Sequence, residues 1–157
     1  VWAAMAFAQL GDAERAWEVL HIINPVNHGR TPEEVAVYKV EPYVMAADVY
    51  AAPLHVGRGG WTWYTGAAAS TYRVMTEALL GLTREGKQLL CNPCLPAHWK
   101  VFAAHYRYQE TMYHITVTQR PEKTGTVHVT LDGVGLSVPI ITMSNDKQEH
   151  TVEVVLA

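Results

Sequence analysis

Apolar residues recur at helical spacing through the first half of the chain and at strand spacing through its last third. Trp2, Met5, Ala6, Gln9 and Leu10 keep the helical step, and after Gly11-Asp12 it resumes at Ala13, Ala16, Trp17 and Leu20. Gly11 reads as the stop of one helix and Asp12 as the N-cap of the next, which predicts a helical hairpin with a tight turn. A tetratricopeptide unit would look similar, but it would need a second copy about 34 residues on, and none is present.

Residues 24–40 (NPVNHGRTPEEVAVYKV) carry Pro25, Gly29 and Pro32 and are long for a simple connector, which predicts a functional loop. Val26, Val35, Val37 and Tyr38 argue against disorder there. Glu41-Pro42-Tyr43 reads as a helix start, with proline at the first helical position and Val44 to Tyr50 continuing it. A second irregular stretch, Ala52 to Gly60, leads into a helix that runs to about Leu80, with Gly81 as its stop.

From Lys87 onward the pattern changes to short strands. Tyr106, Tyr108, Met112, His114, Thr116 and Thr118 alternate with Arg107, Tyr113, Ile115 and Val117 around a turn at Gln109 to Thr111. Gly125 to Leu131, Leu136 to Met143 and Thr151 to Leu156 follow, separated by Asp132-Gly133 and Asn145-Asp146. Most of the alanines precede residue 84, whereas Val, Ile and Thr dominate after residue 104. The expected organisation is α+β, with helices over 1–83 and an antiparallel β-sandwich over 84–157.

With 12 basic against 15 acidic residues, a net charge of −3 and no basic cluster, the chain lacks the electrostatic footprint of a nucleic-acid binder. The N-terminal apolar run is broken by Gln9, Asp12, Glu14 and Arg15, well short of the roughly 20 residues of a membrane span. Val1-Trp2-Ala3-Ala4-Met5 has no positively charged n-region, so no signal peptide is expected, and the opening reads as part of something longer. In Cys91-Asn92-Pro93-Cys94 the prolines predict an extended segment rather than the helix start of a thioredoxin pair, and no second pair completes a zinc site. Both cysteines are expected to pack, in a reducing compartment.

Candidate chemistry concentrates in Gly57-Arg58-Gly59-Gly60-Trp61-Thr62-Trp63-Tyr64-Thr65-Gly66. Unpaired N–H groups at the start of a helix, beside a hydroxyl, suit an anion, and the flat faces of Trp61, Trp63 and Tyr64 suit a sugar ring. A glycine-rich turn with packed aromatics would read the same way. No lysine follows the glycines, so this is not a P-loop. Among Glu33, Glu34, Glu41, Asp48 and Glu77, Glu41 stands out by its apolar surroundings; Glu33-Glu34 resembles a solvated helix start, and no two can be paired at a glycosidase separation. His28 and His55 lie in irregular, glycine-adjacent segments and are candidates to face a cleft. His114, His128 and His150 fall in strands as surface or packing residues, and no histidine pair shows metal-ligand spacing in the sequence.

The ordered blocks Ile23-Asn24-Pro25-Val26-Asn27-His28, Tyr38-Lys39-Val40-Glu41-Pro42-Tyr43-Val44, Gly59 to Gly66 and Asn92-Pro93-Cys94-Leu95-Pro96 resemble the C-terminal region of glycoside hydrolase family 94, the inverting glycoside phosphorylases. Within that family the chain is most similar to the phosphorylase-like domain of cyclic β-1,2-glucan synthases. The resemblance spans residues 1 to 110 and implies the last helices of an (α/α)6 barrel followed by a C-terminal β-sandwich.

It also implies a reaction. Inorganic phosphate attacks the anomeric carbon while one aspartic acid protonates the leaving oxygen, so a single carboxylic acid suffices. Thr65-Gly66 matches the family's phosphate-holding Thr-Gly pair, and Glu41, Tyr43, Arg58, Trp61, Trp63 and His28 are the expected substrate-binding set. No cofactor is implied beyond phosphate as co-substrate, and no metal. The family's catalytic aspartate and its phosphate-contacting histidine belong to motifs without a match here, so the isolated chain is expected to be inactive. Ala47 stands where cellobiose phosphorylases carry glutamine, which favours a β-1,2-glucan substrate.

The implied partners are a β-glucan oligosaccharide, phosphate and the N-terminal remainder of the same polypeptide, with room for a homodimer of the full protein. No membrane contact is expected from this segment, and the implied location is cytoplasmic. A non-catalytic carbohydrate-binding or structural module is the alternative.

Overall fold

The computed structural model describes residues 1–63, 65–121 and 125–157, with Thr65 described by its backbone alone. The expected sugar-stacking Tyr64 and the Thr65 side chain therefore lie outside the described residues. Two compact units divide the chain, Val1–Met75 and Thr76–Ala157.

The first unit opens with α1 (Trp2–Gln9) and α2 (Ala13–Ile23). Gly11, at φ +78°, turns the chain between them; its N–H reaches the Ala8 carbonyl and the Asp12 N–H reaches Phe7, closing the end of α1. Asp12 then caps α2 by accepting from the Arg15 N–H at 3.2 Å. Ala4 and Ala8 of α1 and Ala16 and Leu20 of α2 are buried, and three alanines let the two helices approach closely.

The stretch expected as a long loop is more ordered than its prolines and glycine suggest. Asn24 caps a 3-10 turn at Pro25–His28, and α3 (Pro32–Tyr38) follows. Thr31 and Glu34 form a reciprocal capping box at its start, with Pro32 in the first turn. Glu33-Glu34 is a helix start, as read from the sequence. Lys39, at φ +55°, ends α3 in the left-handed conformation.

The helix expected over Glu41 to Tyr50 does not form. The Val44 N–H bonds back to Glu41 at 3.1 Å for a single turn, after which residues 47–50 are drawn into pairing with residues 57–61. Ala47 N–H donates to Trp61, Gly60 N–H to Asp48 and Tyr50 N–H to Arg58, at 2.7–2.9 Å, around a bridge between Val49 and Gly59. Pairing with a distant segment overrides local helix propensity. α4 (Thr65–Arg73) continues into a π-helical turn at Val74–Leu79.

Among the described residues the second unit is built from eight strands: β1 (Leu82–Glu85), β2 (Gln88–Cys91), β3 (Val101–Tyr108), β4 (Thr111–Gln119), β5 (Val127–Leu131), β6 (Val134–Gly135), β7 (Ile140–Thr142) and β8 (Glu149–Leu156). They form a three-stranded sheet in the order β1-β2-β7 and a five-stranded sheet in the order β3-β4-β8-β5-β6. The expectation of a wholly antiparallel arrangement is corrected here, because β4 and β8 run parallel, Ile115 opposite Val152 and Val117 opposite Val154. The hairpin of β3 and β4 is the expected one, turning at Gln109; that of β1 and β2 begins five residues before the sequence pattern changes.

Alternation explains the core. Tyr113, Ile115 and Val117 of β4 point inward with Val152 and Val154 of β8, and meet Leu89, Cys91 and Ile141 of the smaller sheet, with Met143 just after β7, in one buried cluster. Cys91 thus packs at the end of β2, and burial pushes its thiol pKa up to about 12. Among the described residues no helix is long and apolar enough to cross a membrane.

Candidate functional site

The pairing of residues 47–50 with 57–61 builds the first unit's polar cavity. Gly59 also donates its N–H to the Tyr38 carbonyl at 2.9 Å, laying this segment across the end of α3. Lys39 and Glu41 stand on one side, Arg58 and Trp61 on the other, and Tyr50 joins them around an open cavity of about 560 Å³. Glu41 is half-buried, whereas Arg58 and Trp61 are exposed, Trp61 by 71%. Two cations and one carboxylate leave the cavity lining with a formal excess of one positive charge. The guanidinium of Arg58 and the ammonium of Lys39 can donate to an oxyanion or hydroxyl, Glu41 can accept from a hydroxyl, and Trp61 offers an uncovered ring face.

Among the described residues, the other candidates do not line this cavity. Tyr43 and Trp63 form an edge-to-face pair with ring centroids 6.3 Å apart, both well exposed, and Trp63 holds a left-handed φ of +63°. His28 is not among the residues lining the cavity with Glu41. Its Nε2–H donates to the Ile22 carbonyl at 2.6 Å and its ring stacks on Tyr38 at 4.7 Å, within a separate 330 Å³ pocket that Glu33, Glu34 and Val37 also line. Tyr38 is itself buried, and that burial raises its phenol pKa. His55 makes an edge contact with Tyr50. The Thr65 backbone begins α4, followed by the exposed Gly66.

Lys39 and Tyr50 are cavity residues that the sequence did not single out. Both lie within or beside segments read as helix or loop, and the pairing of residues 47–50 with 57–61 and of Gly59 with Tyr38 brings them to the cavity that Arg58 lines. Among the described residues no group of three or more His, Cys, Asp or Glu side chains is arranged to hold a metal ion.

Comparison with known proteins bears directly on this unit. Residues 1–81 match the model of the glycosyl hydrolase 94 superfamily catalytic domain. The cyclic beta-(1,2)-glucan synthase NdvB of Rhizobium meliloti (strain 1021) is 37% identical over 99% of this chain, which spans 5% of that protein. The N,N'-diacetylchitobiose phosphorylase of Vibrio furnissii is 30% identical over 74% of the chain, covering 14% of the relative. The solabiose phosphorylase of Paenibacillus borealis is 27% identical over 73% of the chain, covering 15% of the relative. The chain thus corresponds to a small part of each relative's length, and the match reaches the segments that form the cavity. It belongs to the glycosyl hydrolase 94 superfamily.

Proposed function

We propose that this chain is the C-terminal part of a longer carbohydrate-active enzyme of the inverting glycoside phosphorylase type, acting on β-glucans, with β-1,2-linked glucan the favoured substrate. The observation that carries the reading is the meeting of Glu41, Arg58 and Trp61 around one open cavity in the segment that matches the catalytic-domain model. The similarity to a cyclic beta-(1,2)-glucan synthase along nearly the whole chain supports the linkage, as does Ala47.

In this reading residues 1–83 are the last helices of an (α/α)6 barrel and residues 84–157 a C-terminal β-sandwich. The buried cluster shared by the two sheets supports the second assignment. Exposed Trp2 (83%), Leu10 (82%) and Leu54 (98%) are consistent with the first, in which the N-terminal remainder of the same polypeptide covers them. The relatives' much greater lengths are consistent with such a remainder.

Each residue then has a role in phosphorolysis. Trp61 and Trp63 stack on glucosyl rings, with Tyr43 bracing Trp63. Glu41 accepts hydroxyl hydrogen bonds that fix ring orientation and Arg58 completes the polar wall, while His28 contacts substrate from the separate pocket that it lines with Tyr38. Thr65 and Gly66 hold inorganic phosphate, the co-substrate, at the start of α4, where backbone N–H groups and the helix dipole favour an anion. The general acid comes from the preceding polypeptide, so the isolated chain is inactive. In this reading the reaction takes place in the cytoplasm, where inorganic phosphate, the attacking co-substrate, is available.

Phosphorolysis of β-1,2-gluco-oligosaccharide by the full-length polypeptide tests the reading. Thr65→Val should weaken phosphate use by about 1–3 kcal/mol, the loss of one hydrogen bond to a charged group. Unchanged phosphate dependence would remove the phosphate assignment. Saturable glucan binding by the full-length polypeptide, with no phosphate-dependent turnover, would favour a non-catalytic carbohydrate-binding module.

A further inference from the structure

His105 of β3 and His114 of β4 are direct register partners on the outward face of the five-stranded sheet, away from the buried cluster. Their Nδ1 atoms approach to 2.7 Å with the rings nearly perpendicular, at 77°. On the far side of His114, Nε2 lies 3.2 Å from Glu149 Oε2 of β8. An ionised carboxylate can only accept, so the His114 Nε2 carries a proton, and in the neutral ring the Nδ1 lone pair faces His105. Without a further ligand, His105 Nδ1–H fills that space.

This arrangement has the parts of a chelate. A carboxylate that accepts from the remote nitrogen of an imidazole fixes its tautomer and raises its basicity as a metal ligand. His105 becomes the second ligand when its proton moves from Nδ1 to Nε2 through solvent, a tautomer exchange that leaves the ring neutral. The spacing then bears on the coordination geometry. At metal–nitrogen bonds of about 2.0–2.1 Å, two cis ligands of a square-planar ion stand about 2.8–3.0 Å apart and two ligands of a tetrahedral ion about 3.3–3.4 Å. The observed 2.7 Å is the length of the hydrogen bond that joins the metal-free rings, and opening it to the first range takes a smaller movement than opening it to the second. We propose that His105 and His114, oriented by Glu149, form a two-imidazole site for a square-planar divalent transition ion, copper(II) or nickel(II), with water in the remaining positions. Arg107 and Met112 occupy the next register pair on the same face.

Copper(II) chloride titration of the full chain, followed by electron paramagnetic resonance, tests the site against the double variant His105→Gln/His114→Gln. The wild type should show a saturable tetragonal copper signal with coupling to two imidazole nitrogens, and the double variant should lose that component. Glu149→Gln should keep the two-nitrogen signal but weaken affinity about 10–100-fold. All three positions are at least partly exposed on the sheet surface, and matching thermal melts of the metal-free variants would show that the fold is intact. A copper signal of equal strength and coupling in wild type and double variant, or affinity unchanged in Glu149→Gln, overturns the proposal.

Discussion

The Asp48 carboxylate lies against the backbone of Gly60 so closely that a Cβ on that glycine would stand 1.8 Å from Asp48 Oδ1. Gly59 is enclosed on its other side: a Cβ there would stand 2.3 Å from Val40 Cγ2 and 3.1 Å from the ring of buried Tyr38. The glycine pair therefore lets residues 57–61 lie flat on the segment that presents Lys39 and Glu41. The cavity depends on this contact.

The two glycines should respond unequally to alanine. Asp48 is exposed and its carboxylate can rotate away, but Val40 and Tyr38 are held by packing. Gly59→Ala should cost about 1–3 kcal/mol of stability, the usual penalty of overpacking, and Gly60→Ala less. Denaturant unfolding of the full chain would show the order; a Gly60→Ala midpoint at or below that of Gly59→Ala would contradict it.

Trp61 separates binding from folding. Because 71% of its surface is exposed, Trp61→Ala should change stability by no more than about 0.5 kcal/mol. In the full-length polypeptide the same substitution should weaken oligoglucan affinity by about 1 kcal/mol, on the scale of an aromatic face contact. Calorimetric titration with β-1,2-gluco-oligosaccharide reads the second effect, and an unchanged dissociation constant would take Trp61 out of the sugar site.

The second unit should lose stability at both ends of the pH range. His150 is held between carboxylates, Nδ1 at 2.7 Å from Asp132 and Nε2 at 3.0 Å from Asp146, with its ring stacked on Tyr113. The Asp132 hydrogen bond above all, opposed by partial burial, raises the His150 pKa over its ordinary 6.5. The clasp is therefore complete below pH 6.5, and its contribution is lost as pH rises through the raised value. On the acid side, the His150 hydrogen bond lowers Asp132, and the Gln148 N–H, among others, lowers Asp146. Their contributions are present above 3.8 and disappear as pH falls through the lowered values. Unfolding midpoints measured across the pH range should show both limbs, and His150→Gln should flatten the alkaline one.

The Cys91 thiol should resist alkylation in the folded chain. Fully buried and with a pKa pushed up to about 12, it has almost no thiolate at pH 8. Mass-spectrometric mapping after iodoacetamide treatment should find Cys91 unmodified until denaturant is added.

Local signals carried most of the elements. Gly11 and Asp12 mark the hairpin of α1 and α2 because a left-handed turn and an N-cap are made by neighbouring atoms. Strict alternation through β4 is likewise visible as a string of inward residues, and Gln109 marks its turn. The β1–β2 hairpin was less legible: Leu82-Thr83-Arg84-Glu85 has no apolar alternation, and it becomes a strand by pairing with residues 88–91.

The sequence by itself determined the helical and β portions, the family, and the residue types from which a sugar and phosphate site could be made, because propensity, caps and ordered motifs are local properties. Tertiary structure decided which of them meet. It replaced the helix over 41–50 with a pairing to residues 57–61, bringing Glu41, Arg58 and Trp61 together while His28 lines a separate pocket with Tyr38. It set β8 parallel to β4 and put His105 opposite His114. Such contacts join residues from nine to about forty positions apart, and their partners are selected by backbone hydrogen bonds and shared burial that exist only once the segments have closed on one another.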